Sequence, residues 1–412
     1  METTIAGIDV HKQVLMVVIL RNQGGQFSER IERRRFGAVR SELKLLRAWL
    51  LQEGVEAAVM ESTAQYWKPV WLELEGSLRL ELAQAYSNRA RRGRKCDFKD
   101  AERLARRFWA DELVLSYVPV PEQRILRTMT RAKVQLARDR NRLQNQIESL
   151  LEEMRIKLSS VLSDLLGTSG QRILWAIAKG ETDPAQLAAL ASHRVRCGQA
   201  QLMDALDAIP AAEQRQLLKL HLRRLELLDA QIEELHQMTA LAMKSHEEAV
   251  VRLAEVPGFG PDSAQQVIAE VGPDAHSFNS AAQFTSWAGT CPGKNESAEQ
   301  NHSSRSAKGN KYLRRVLTEV AQAAVKVKDG HYQNVFRRLL PRLGYKQALW
   351  AVVHRLSRLV WKILHDRVHY IEQGTRRDPK AAAKRAKTLS NALRKLGYSV
   401  FMQPLQTEVV IA

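Results

Sequence analysis

The sequence predicts an α/β domain at its amino end, then a helical arm, a mostly helical domain and a basic tail, with divisions at 1–118, 119–249, 250–374 and 375–412. Three observations carry that expectation. Short β-branched and aliphatic runs alternate with helix-spaced stretches across residues 4–118. Residues 122–158 and 213–240 keep apolar positions among many charges, with no internal Pro or Gly. Residues 250–370 then read as a second globular segment.

Taken in order, Thr4–Asp9 and Val14–Leu20 read as strands, because β-branched and aliphatic residues dominate both runs. A third, more polar strand is expected near Arg30–Phe36. Ser41–Leu51 has helical spacing, with Leu43, Leu46 and Leu50 on one stripe. Val55–Met60 is a fourth strand, followed by a helix from about Gln65 to Leu74; Arg79–Ala85 is a fifth strand and Lys99–Ala110 a third helix. Three strands leading into alternating helix and strand is the order of a ribonuclease-H-like domain, in which antiparallel strands run into parallel α/β units. In the next segment Ile125, Met129, Leu136, Leu143, Ile147 and Leu150 recur at helical intervals. Later, Leu218, Leu225 and Ile232 are heptad-spaced, with Leu228 and Leu235 alongside. The pair suggests an antiparallel coiled-coil arm; a simple helical bundle is the other reading. The tail, with eight basic residues and one acid over 375–395, reads as a solvated helix or a flexible arm.

Charge narrows the function. Lys and Arg number 63 against 45 Asp and Glu, a formal net charge of +18 that favours a polyanionic partner. Cys96, Cys197 and Cys291 form no CxxC pair, which argues against a zinc site or a disulfide framework and fits a reducing compartment. METTIAGIDVHK lacks the regions of a signal peptide, and no apolar run reaches the roughly 18 residues that span a bilayer. A soluble, cytoplasmic protein without a membrane partner is expected.

Four acids fall where a two-metal nuclease needs them. Asp9 ends the first strand in GIDVHK, Glu61 ends the fourth, and Asp97 and Asp100 in KCDFKDAERLA open the helix after the fifth. The i, i+3 spacing puts the last two on one helical face. In this strand order the first and fourth strands are neighbours at the sheet centre, so Asp9 and Glu61 can converge. Clustered carboxylates repel unless a cation neutralises them, and hard oxygen ligands favour Mg2+ or Mn2+. Two such ions could activate a nucleophile and stabilise the leaving oxygen in phosphoryl transfer. Singly, each acid also has a structural reading: Asp9 as a turn residue, Glu61 as a helix N-terminal acid, Asp97 as an N-cap with Asp100 behind it.

GIDVHK at 7–12, MEST with YWKP at 60–69 and GRKCDFKDAERLA at 93–105 resemble the hallmarks of the DEDD insertion-sequence transposases of the IS110 family. VPGFGPDSAQQVIAEVG at 256–272, FTSWAGTCPGKNESAEQ at 284–300 and KGNKYLRR at 308–315 resemble that family's C-terminal transposase domain. The resemblance covers roughly 5–118 and 250–325, in the expected order. It implies that Asp9, Glu61, Asp97 and Asp100 form the metal-binding tetrad of a RuvC-like fold, the fold of Holliday-junction resolvases. It places a nucleophilic serine at Ser297, with Ala298 and Glu299 following where many relatives have glycine. Attack by Ser297 on a DNA phosphate would then give a covalent phosphoserine link.

The resemblance further implies a homodimer or homotetramer whose active site can draw its halves from different protomers. It also implies a structured guide RNA from the same element, a bridge between donor and target DNA. Base pairing would then choose the sequence, while the protein meets the RNA through charge and shape. Expected phosphate contacts are Arg91, Arg92, Arg94 and Lys95 in RRGRK, Gly258 and Gly260 in PGFGP, and Lys308 and Lys311. RRGRK also reads as a solvated loop, PGFGP as an ordinary interhelical turn, and the polar stretch Gly293–Lys311 as a mobile surface loop. Two rival functions remain at this level. One is a hydrolytic junction-resolving nuclease that uses the same carboxylates. The other is a non-enzymatic helix-hairpin-helix nucleic-acid-binding protein.

Overall fold

Two aliphatic runs joined by a tight turn begin the fold of this computed structural model. It describes residues 3–23, 26–27, 31–62, 64–85, 97–193, 195–293, 295–297, 300–303 and 305–372, with scattered residues between 387 and 401. β1 (Thr3–Val10) and β2 (Val14–Gln23) pair antiparallel, and the His11 N–H closes their turn by donating to the Val14 carbonyl at 3.0 Å. β3 (Gln26–Phe27) and β4 (Glu32–Gly37) both pair antiparallel with β2. After α1 (Arg40–Gln52), β5 (Ala57–Glu61) runs parallel to β1. After α2 (Trp67–Leu74), β6 (Arg79–Ala83) runs parallel to β5. The sheet order is β3-β2-β1-β5-β6, with β4 also on β2. Antiparallel strands thus lead into parallel ones, as the strand order predicts; β3 is too short for periodicity to register.

Strand alternation divides the side chains between two helical layers. Ile8, Leu15, Val17, Ile19 and Met60 pack with Leu46, Leu50, Trp71 and Leu74 of α1 and α2. The opposite face sends Ile5, Val18, Leu20 and Ala57 against Ala101 and Ala105 of α3 (Asp97–Trp109). Gly7 lies on that second face and permits unusually close approach. A Cβ there would stand 2.1 Å from the Ala101 carbonyl oxygen and 3.0 Å from Ala105 Cβ. The alanines of α3 and the bare backbone of Gly7 therefore set helix and strand nearly in backbone contact.

Residues Met1–Val120 form one compact unit and Pro121–Ala412 a second. The second starts with α4 (Pro121–Glu153), whose long partner is α9 (Ala212–Ala242). Arg140 meets Asp229, while Lys133 and His236 both meet Asp262. Earlier residues of α4 thus match later residues of α9, and the two run antiparallel. Leu143, Ile147 and Leu150 are buried with Leu218, Leu222, Leu225 and Leu228. Around them fold α5 (Leu158–Val161), α6 (Thr168–Lys179), α7 (Pro184–Ala189) and α8 (Gln199–Leu206).

Apolar spacing misplaces the inner face of the first half of α4. Ile125 is 61% exposed, whereas Gln123, Thr130 and Lys133 are buried. The reason is polar. Gln123 and Arg127 donate to the Ala269 carbonyl, at 3.3 and 3.2 Å, and Arg131 grips Glu270 through two bonds of 2.7 Å. Glu270, 2% exposed, lies in the last turn of α11 (Pro261–Val271), which follows α10 (Glu247–Ala254). Its carboxylate also accepts from Asn310 Nδ2 at 2.7 Å. Asn310 caps α13 (Lys311–Ala324) by accepting from the Tyr312 and Leu313 N–H groups. One buried carboxylate therefore ties α4, α11 and α13 together. α12 (Ala281–Ala288) and α14 (His331–His365), the latter kinked at Gly344, complete the helices. No helix among the described residues is long and apolar enough to cross a membrane.

Two substitutions test these contacts by chemical denaturation of the full chain. Gly7→Ala should destabilise the first unit by about 1–3 kcal/mol, because a methyl group cannot fit against the α3 backbone; unchanged stability would show that α3 sits elsewhere. Glu270→Ala should cost the second unit about 3 kcal/mol, since it strands two arginines and a capping asparagine.

Candidate active site

Asp9, Gly7 and Ile5 share the α3 face of β1, and Ala57, Val59 and Glu61 share the matching face of β5, where Ile8 pairs with Met60. Asp9 and Glu61 follow that last pair, so both acids stand at the carboxyl ends of adjacent parallel strands. The close approach at Gly7 fixes α3 above them, with Asp97 and Asp100 in its first turn. Anions are favoured at that end of a helix, where the backbone N–H groups are unpaired.

Among the described residues, one group has ligand atoms that all lie within 4.8 Å of one another: Asp9, His11 and Asp97. His11 Nε2 lies 3.1 Å from Asp9 Oδ2. Burial raises the Asp9 carboxyl above its ordinary range; His11 opposes that shift, and the nearby negative charges of Asp100 and Asp97 reinforce it. Asp100 also accepts from Arg103 Nη1 at 2.7 Å, so its carboxylate is partly engaged. The tightest group is therefore two of the four expected acids plus a histidine, with Glu61 and Asp100 carried to the same edge.

His11 escapes a search for acids. Its signal was present nonetheless: in GIDVHK it follows Asp9 by two residues, and the tight turn at the end of β1 brings it back toward that carboxylate. Two carboxylates and an imidazole, half-buried and crowded by like charge, form a donor set that could hold a divalent cation.

In the second unit Ser297 is the last residue of β7 (Asn295–Ser297), which pairs antiparallel with β8 (Gln300–Ser303). The polar stretch read as a loop thus contains a pair of antiparallel strands, with Ser297 opposite Gln300. Its base is held by backbone against backbone. A Cβ on Gly309 would stand 2.3 Å from the Ala288 carbonyl oxygen, and one on Gly293 would stand 2.0 Å from that of Arg305. These contacts clamp the chain entering the hairpin to the chain leaving it. Ser306 is committed to structure, since its hydroxyl accepts from Trp350 Nε1 at 2.7 Å.

Lys308 and Lys311 are exposed near the start of α13, where Lys311 also lies 5.2 Å from the Tyr312 ring centre. Gly258 packs against Val320 and Ala324 of α13, and the Gly260 N–H donates to Ser263 Oγ at 3.1 Å. That bond engages the Gly260 donor within the turn between α10 and α11. Arg91, Arg92, Arg94 and Lys95 lie outside the described residues, as do Ala298, Glu299 and Ser304.

Residues 6–156 match the DEDD transposases of the IS110 group, and residues 250–336 match the transposase IS116/IS110/IS902 family. A protein named as a family 20 transposase from Pseudomonas aeruginosa is 28% identical over 308 residues, 73% of this chain and 81% of that one. A protein of Sinorhizobium fredii named as transposase y4pF/y4sB is 28% identical over 172 residues, 40% of this chain and 43% of that one. Likeness to a solved Ppx/GppA-family structure from Aquifex aeolicus, spanning 57% of this chain and 99% of that one, has 12% identity and a TM-score of 0.17, too slight to bear on the fold. The two family matches take in both candidate sites, in the order the sequence motifs set out, and the chain belongs to the IS110 family of DEDD transposases.

Proposed function

We propose that this chain is the transposase of a bacterial insertion sequence. In this reading a RuvC-like first unit uses a divalent metal centre, and the second unit uses Ser297 as nucleophile, to cut and exchange DNA strands. The observation that carries it is the grouping of Asp9, His11 and Asp97 within 4.8 Å, near Asp100 and with Glu61 at the end of the adjacent strand. Asp9 and Asp97 would hold a cation through carboxylate oxygens, and His11 through its ring nitrogen or by fixing Asp9. A bound Mg2+ or Mn2+ supplies charge neutralisation and Lewis acidity for phosphoryl transfer.

Ser297 Oγ would attack phosphorus, so that a P–Oγ bond forms as the bond to the leaving sugar oxygen breaks. The serine proton passes to a base, and the departing oxygen takes up a proton. Phosphodiester energy is retained in the phosphoserine for rejoining. The exposed Lys308 and Lys311 and the +18 charge support contacts to the DNA and to a structured guide RNA from the same element. Beyond the first domain, 119–249 would act as a coiled-coil arm, 250–374 as the transposase domain and 375–412 as a basic tail, in a homodimer or homotetramer.

Asp9→Asn should lower strand cleavage by roughly three orders of magnitude with the fold intact, and His11→Ala should weaken Mn2+ binding by roughly 10–100-fold. Labelled-DNA cleavage and calorimetric titration of Mn2+ check the two; wild-type values in both variants would remove the metal centre. Ser297→Ala should abolish the covalent DNA–protein band on denaturing electrophoresis while DNA binding persists, with Ser303→Ala as the control from the same hairpin. No such band from wild-type protein during recombination would leave hydrolysis by water as the chemistry.

A further inference from the structure

Trp350 and His354 lie one turn apart on α14, and they reach the two lengths of chain that flank the β7–β8 pair. On the returning side, Trp350 Nε1 donates to Ser306 Oγ at 2.7 Å. Arg314 of α13 adds to that grip: its guanidinium lies 4.9 Å from a Trp350 ring centre and its Nη1 donates to the Ala307 carbonyl at 3.2 Å. On the entering side, the His354 ring bonds the backbone of Thr290. The Thr290 N–H is already engaged by the Thr285 carbonyl at 3.0 Å, so the imidazole must donate to the Thr290 carbonyl. Nδ1 is buried without a partner among the described residues, which leaves Nε2 as the donor. Burial lowers the His354 pKa, and Arg358 and Arg355 push the same way against the Thr290 bond. The neutral ring, with its one N–H on Nε2, is therefore the favoured form.

We propose that Trp350 and His354 are positioning residues for the strand pair that carries Ser297, with His354 holding the chain that enters it and Trp350 the chain that leaves it. The inference rests on Ser297 being the nucleophile, as proposed above. Neither NES nor QNHS has an apolar face by which the strands could fix themselves, so their orientation must come from the stem. The backbone contacts of Gly293 with Arg305 and of Gly309 with Ala288 clamp the two sides of the stem to each other. Trp350 and His354 then fix that clamped stem to α14, whose Val352, Val353, Leu356 and Val360 are buried in the core of the unit. In-line attack needs the serine oxygen about 3–3.5 Å from phosphorus, and a misplacement of about 1 Å can cost roughly a hundredfold in rate. A stem that swings on its helix would therefore lose rate while the surfaces that bind DNA stay in place. Both residues act through the backbone of the stem and not on the phosphate.

The rate at which the full-length protein forms the covalent band on saturating labelled DNA tests the assignment, with DNA affinity and hydrogen exchange measured beside it. His354→Leu keeps the bulk of the ring and loses the donor. It should slow the band roughly tenfold or more, leave DNA affinity within about twofold, and quicken exchange at 288–309 but not in α4 or α9. His354→Gln, whose amide donates from nearly the place of Nε2, should recover most of the rate; a histidine needed only for packing would show no such recovery. Trp350→Phe and Ser306→Ala test the other side with little change in shape. Each should slow the band, and the double variant should be no slower than the worse single, because all three lose the same bond. A wild-type rate in His354→Leu, or in both Trp350→Phe and Ser306→Ala, overturns the proposal and leaves Ser297 standing as nucleophile. So does a Gln variant as slow as the Leu variant. Wild-type protein that forms no covalent band instead removes the serine reading, and this role with it.

Discussion

Everything proposed for the first unit depends on how closely α3 can approach β1. The acids of α3 reach those of the strands only because residue 7 has no side chain and residues 101 and 105 have small ones. Any larger side chain at that crossing would lift the helix and separate Asp97 from Asp9. Packing and chemistry are here one constraint. Glycine two residues before the acid sets the height of the helix, and the helix brings its own acids to the strand end.

The second unit solves a comparable problem with charge. Glu270 is almost fully buried, a state that a carboxylate tolerates only with partners, and it has three. Those partners come from α4 and from the residue that caps α13. The chain returning from the serine hairpin reaches the same carboxylate as the base of the long arm. The glycine-to-carbonyl contacts at 288–309 then hold the hairpin stem without apolar side chains.

The first unit was legible because strand burial follows simple alternation, and its aliphatic runs carry that signal strongly. Asp9, Glu61, Asp97 and Asp100 could be placed because strand ends and helix starts are marked by the ends of those runs. His11 was missed because its approach to Asp9 is made by a turn, which periodicity does not describe. Along α4 the apolar pattern failed at Ile125 because the buried face there is chosen by hydrogen bonds to α11. The hairpin bearing Ser297 was read as a loop for a related reason: neither NES nor QNHS offers an apolar face, and its support comes from backbone contacts at its base.

Asp97 and Asp100 also occupy the first turn of α3, where the helix welcomes negative charge on its own account. Arg103 steadies one of them from the next turn. Two of the acids thus strengthen the helix even in a chain that has never met a cation, while Asp9 is held in a buried position that disfavours its charge. On the proposed reading, the first unit can fold before it meets its ion. A chelator would silence such a protein without unfolding it, and returning the ion would need no refolding.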